Sequence, residues 1–255
     1  MTHSSTSEFI YTGPSWATLS YGPENYDINL ASEWGIPCHR INHRGAKNRD
    51  IYDYLLDIRL NRKTEYREFQ YNDSLDVLKK LPVVYVFCEP LVDIFQGYAA
   101  GTRQWDIGKI DEYLLSHDHR CVREKLKREQ LEYLNRLGFK IGLIGSHSDV
   151  YEKDIVGLSN LSIIYPSWQQ WMKDVVGITT PTLNFGAEVA NNMITYFDEI
   201  EPKEMLVNDV HEQHAVWDML EKNDYWYSYH PSARSNIEFA RFVKPMVEKF
   251  LEENK

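Results

Sequence analysis

The sequence predicts a doubly wound α/β fold, a parallel sheet covered by helices on both faces, and three observations carry that prediction. Three short apolar runs, Phe9 to Thr12, Val83 to Phe87 and Ile141 to Ile144, read as buried parallel strands, because a strand covered on both faces needs a continuous apolar run rather than alternation. Amphipathic helical patterns lie between them. Each run is also followed at once by loop-forming residues, where a doubly wound sheet keeps its ligand-facing edge.

The helices follow in order. Asp50 to Leu60 repeats apolar residues at Ile51, Tyr54, Leu55 and Ile58, and Val122 to Leu137 carries Leu126, Leu131, Leu134 and Leu137 among charged residues. Gly138 then stops the second helix and Lys140 leads into the next strand. Ile237 to Leu251 places Phe239, Phe242, Val243, Met246, Val247 and Phe250 on one side, and Pro245 is expected to kink or split it. The segment from about 95 to 119 fits the alternation least and reads as an insertion that could cover a site. No internal repeat or linker divides the 255 residues, so a single domain spanning 1–255 is expected.

Composition narrows the function classes. No stretch approaches the roughly 18 apolar residues of a membrane span, and the N-terminal Met-Thr-His-Ser-Ser-Thr-Ser run has neither a basic nor an apolar region, which predicts a cytoplasmic protein. A formal charge of −10, with basic residues mixed among acids, opposes binding to nucleic acid. Cys38, Cys88 and Cys121 are odd in number and lack CxxC spacing, so free thiols are expected. His117 and His119, or His211 and His214, offer paired imidazoles, but spacing supplies no third metal ligand. No glycine-rich phosphate loop follows a strand, so no nucleotide cofactor is predicted.

Chemistry is sought at the strand ends. Thr12-Gly13-Pro14-Ser15 puts Ser15 just past the first strand, where a hydroxyl can be exposed and an amide can face an oxyanion, although serine there is also a routine N-cap. Ile41 to Asn48 is a polar loop whose Gly45 lets backbone approach a ligand closely. Glu89 follows the most apolar strand and can be acid, base, hydrogen-bond partner or a solvated loop residue. His230-Pro231-Ser232 precedes the last helix, from which an imidazole can reach the same edge. Asp149, after the third run, is a reserve carboxylate or substrate contact.

Taken in order, these segments resemble the SGNH (GDSL-like) hydrolases, whose blocks are a Gly-Asp-Ser-type nucleophile loop, a glycine loop, a Gly-x-Asn-Asp loop and a terminal Asp-x-x-His-Pro. The resemblance spans nearly the whole chain, and its best matches are His230-Pro231 and the Asn42-x-x-Gly45 loop. It implies a three-layer α/β/α sandwich with a central parallel sheet, of SGNH or flavodoxin-like type. It also implies Ser15 as nucleophile, His230 as base, and the Ser15 and Gly45 amides as oxyanion donors. Three positions depart from the pattern: Pro14 replaces an acid or amide, Glu89 replaces the oxyanion-hole asparagine, and Tyr227 replaces the orienting aspartate, for which Asp224 is the nearest substitute.

Two functions follow. The first is ester or acyl-group hydrolysis without a cofactor; the 17 tyrosines and 7 tryptophans suit an acylated carbohydrate as substrate. The second is a catalytically degenerate domain of the same fold that binds carbohydrate or serves an assembly, which Glu89 and Tyr227 favour.

Overall fold

The computed structural model of the chain describes residues 8–13, 17, 30–42, 48–62, 75–88, 119–146, 149–177, 222–227 and 230–255. Its centre is a five-stranded sheet: β1 (Phe9–Gly13), β2 (Cys38–Asn42), β3 (Val83–Phe87), β4 (Ile141–Gly145) and β5 (Leu161–Tyr165). The strands run in the order β2-β1-β3-β4-β5, and every pairing is parallel. That is the flavodoxin-like order of doubly wound sheets.

The helices are α1 (Leu30–Trp34), α2 (Asn48–Arg59), α3 (Leu75–Leu78), α4 (His119–Arg136), α5 (Trp168–Trp171) and α6 (Ala233–Glu253). A 3₁₀ turn at Glu152–Ile155 lies between β4 and β5, and a π-helical turn at Met172–Val176 continues α5. Pleating sorts the strand side chains between two cores. Phe9, Tyr11, Val84, Val86 and Ile144 face α1, α5 and α6, whereas Ile10, Ile41, Val83, Tyr85, Phe87, Ile141 and Leu143 face α2, α3 and α4. The three-layer sandwich is thus present, with both sheet faces dry.

The three predicted strands are β1, β3 and β4, adjacent in space, and the predicted helices are α2, α4 and α6. The two strands that the apolar pattern does not announce, β2 and β5, are the sheet edges. In β2 Ile41 is fully buried but Cys38, His39 and Arg40 are not, and β5 carries an exposed Ser162. An edge strand needs less apolar surface and is protected by polar residues.

Pro245 neither splits α6 nor shortens it: the helix runs unbroken from Ala233 to Glu253. Pro245 lies on the exposed side, while Phe239, Val243, Val247 and Phe250 form the buried one. The carbonyl that loses its amide partner there belongs to exposed Arg241, on the solvent side of the helix, where a missing bond costs least. Two bonds anchor α6: Trp34 Nε1 donates to the Ala240 carbonyl at 3.0 Å, and Trp168 Nε1 donates to Ser235 Oγ at 2.6 Å. No helix among the described residues is long and apolar enough to cross a membrane.

Gly13 ends β1 where no side chain fits. A Cβ on it would stand 2.7 Å from the Ala17 Cβ and 2.9 Å from both the Cβ and the carbonyl oxygen of Val86. Substitution of Gly13 by alanine should therefore lower stability by about 1–3 kcal/mol, the usual cost of overpacking, measured as a lower urea midpoint with unchanged slope.

Candidate active site

In this strand order β1 is followed by α1 on one face and β3 by α4 on the other, so the chain changes sides of the sheet between these two neighbouring strands, the switch point beyond whose carboxyl ends doubly wound sheets take their ligands. Gly13 ends β1 and Cys88 follows β3 at that point. The register places Gly13 opposite Asn42, so the segments leading to Ser15 and to Gly45 emerge side by side. Thr12 Oγ1 donates to the Ile41 carbonyl at 2.6 Å and locks these ends together. Ser15, Gly45 and Glu89 lie outside the described residues, as do the side chains of Asn42 and His230.

The His230 backbone pairs with Tyr227 in a two-stranded antiparallel ribbon, β6 (Trp226–Tyr227) and β7 (His230–Pro231). Ser232 then caps α6: its Oγ accepts from the Ser235 amide at 3.2 Å and donates to the Asp224 carbonyl at 2.5 Å. The bond from Trp168, just beyond β5, to Ser235 brings this helix start to the carboxyl edge of the sheet. Asp224 is an exposed turn residue with φ +58°. Arg234 secures the same turn, stacking over Tyr225 and bonding Glu238 and the Asn223 carbonyl.

At the end of β3 sits a buried polar group that the sequence pattern does not single out. Asn48, the first residue of α2, is 1% exposed, and its amide uses every hydrogen-bonding position it has. Oδ1 accepts from the Tyr85 hydroxyl at 2.6 Å and from the Cys88 amide at 3.3 Å. Nδ2 donates to the Cys88 carbonyl at 3.2 Å and to Gln130 Oε1 at 2.9 Å. The side chain thus stands in for a neighbouring strand, holding both backbone groups of the residue that ends the β3 wall. The only hint in the sequence is an asparagine at a helix start after a glycine loop.

Asp149 lies further along the edge, beyond β4, and its carboxylate already has two partners. Ser167 Oγ donates to Oδ1 and the Tyr151 hydroxyl donates to Oδ2 at 2.8 Å. Ser167 also caps α5 by accepting from the Gln170 amide at 2.9 Å. Below it Lys127, 5% exposed, donates to the Asp149 carbonyl at 3.3 Å and pairs with Asp154 at 3.2 Å. Partial burial, then the bond to Asp149 and the nearby carboxylates, push the Tyr151 phenol up to about 12. Cys88 is buried and forms no disulfide, and Cys38 is a partly exposed thiol whose ionisation burial disfavours.

Searches of the chain against protein-family models, curated proteins and solved structures find no match.

Two outcomes follow from these networks. Asn48→Ala removes the bonds that its side chain makes to the Tyr85 hydroxyl and to both Cys88 backbone groups, and should lower stability in chemical denaturation by about 1–3 kcal/mol, the usual cost of losing a buried hydrogen-bonding partner. Tyr151 has its folded pKa above its unfolded one, so its contribution to stability is complete below pH 10 and is lost as pH rises toward about 12. Tyr151→Phe should flatten the stability decline across that window. In a phenolate absorbance titration, Asp149→Asn should move the same tyrosine only part of the way back, because the burial remains.

Proposed function

We propose that the chain is a serine hydrolase of the SGNH type acting on ester bonds, with Ser15 as nucleophile and His230 as base. One observation carries the reading. The end of β1, two residues before Ser15, and the capped start of α6, two residues after His230, both lie at the carboxyl edge of one parallel sheet. The partner strand end, Asn42, stands beside Gly13 and leads to Gly45.

In this reading Ser15 Oγ attacks the ester carbonyl carbon while His230 takes its proton. The Ser15 and Gly45 amides hold the tetrahedral oxyanion, and the alcohol leaves with the proton from His230. Water, deprotonated by the same imidazole, then releases the acid and frees Ser15. An acylated carbohydrate is the substrate class best suited to the aromatic content.

Glu89 and Tyr227, standing where an oxyanion donor and an orienting carboxylate belong, favour the second reading: a degenerate domain that binds carbohydrate or joins an assembly. A fluorophosphonate probe with peptide mapping separates the two. The hydrolase should be labelled at Ser15, and Ser15→Ala and His230→Ala should each lower kcat/KM on an aryl ester by about 1,000-fold or more. Glu89→Asn should raise turnover, because a neutral donor then faces the oxyanion. Ester cleavage indifferent to Ser15→Ala would refute serine catalysis.

A further inference from the structure

We infer that α5 and the first turn of α6 form a binding site for a carboxylate, held by Trp171 Nε1 and Asn236 Nδ2. The inference is independent of the serine-hydrolase reading and starts from these two hydrogen-bond donors. Trp171 is 1% exposed and Asn236 2%, and neither Nε1 nor Nδ2 has a partner among the described residues. Buried donors are nearly always paired, so two orphans kept in one region point to an acceptor that the chain does not itself supply.

The two donors share a neighbourhood. The bond from Trp168 Nε1 to Ser235 Oγ seats α5 on the first turn of α6. Trp171 stands three residues further along α5, its ring 6.5 Å from that of Trp168. On α6 Asn236 follows Ser235, and Phe239 comes three residues later, the spacing of surface neighbours on a helix. The Trp171 ring lies 5.4 Å from the Phe239 ring and 6.3 Å from that of Tyr225. Phe239 is thus a neighbour of both donors. Burial alone does not explain Trp171, because Trp168 carries the same indole at the same depth and is partnered.

The surroundings select the ligand group. Asn236 lies in the first turn of a 21-residue helix, whose positive end favours an anion. Glu238, the acid nearest along that helix, is engaged by Arg234 and by the Tyr225 hydroxyl. Two N–H donors call for a group that only accepts, and a carboxylate accepts through both oxygens without bringing a hydrogen of its own. A water or a hydroxyl would carry hydrogens in among the rings of Trp168, Tyr225 and Phe239 and leave them unmatched.

The test is a proton–nitrogen NMR titration of the full chain with sodium acetate at fixed pH, with sodium chloride as the salt control. The Trp171 indole and Asn236 side-chain amide signals should move together and saturate with one dissociation constant, and chloride should not reproduce the shift. Trp171→Phe and Asn236→Leu should each weaken acetate binding by about tenfold or more, the usual worth of a hydrogen bond to a charged group. Signals that ignore acetate, that follow chloride equally, or that move one without the other overturn the inference. Variants that fold and bind acetate as the parent does also overturn it. An indole proton with a cross-peak to a long-lived water and no response to acetate makes the acceptor a buried water and overturns it as well. The parent titration stands alone if a variant fails to fold: joint saturation supports the site, and its absence overturns it.

Discussion

β1 lies hydrogen-bonded between β2 and β3, and the rest of the molecule is arranged around that confinement. A strand with neighbours on both sides and helices on both faces leaves few partners for polar side chains: the Thr12 hydroxyl is spent on the Ile41 carbonyl, whereas the buried Tyr11 hydroxyl has no hydrogen-bond partner among the described residues. Parallel neighbours force right-handed crossovers. The path to β2 must therefore cross one face, and the return to β3 must cross the other. β1 leads to α1 on the first face and β3 to α4 on the second, so the chain changes sides of the sheet between these two strands. The tight seat of Gly13 against Val86 shows how closely the strands approach at that point.

Much of this could be read from the residues, and the physical reason is burial. Val83 to Phe87 and Ile141 to Ile144 are covered on both faces, so their sequences are continuous and apolar; β2 and β5 are edges, and their mixed polarity hides them. The heptad-like spacing in α2, α4 and α6 was legible for the same reason. Pro245 misled, because a proline's effect depends on which side of a helix it occupies, and that is a tertiary fact. At the site, the strand end preceding Ser15 was announced by its apolar run, whereas the one preceding Gly45 ends the edge strand β2 and was not. Asn48 could not be recognised, because its role depends on Tyr85, Cys88 and Gln130, which come together only in the folded chain.

The two polar networks at the carboxyl edge differ in character. Asn48 sits among neutral groups in a dry place, where its value lies in direction. Asp149, Tyr151, Ser167 and Lys127 form a charged network nearer to water, which staples the turn after β4 to the start of α5 and to α4. The second joins three elements of the rim, and the first ties the residue after β3 to α2. Both consume hydrogen-bonding groups that would otherwise be orphaned where a parallel sheet runs out of ladder.

The bond from Trp34 to Ala240 joins residues 206 positions apart. Phe9, Tyr11 and Trp34 therefore obtain their cover from a helix synthesised long after them. The opposite face is closed by α2, α3 and α4, much nearer in sequence to the strands they cover. A ribosome making this chain thus finishes one side of the sheet early and leaves the other with bare tryptophan and tyrosine until α6 emerges. The nascent protein therefore bares apolar surface on a single side until that last helix is made.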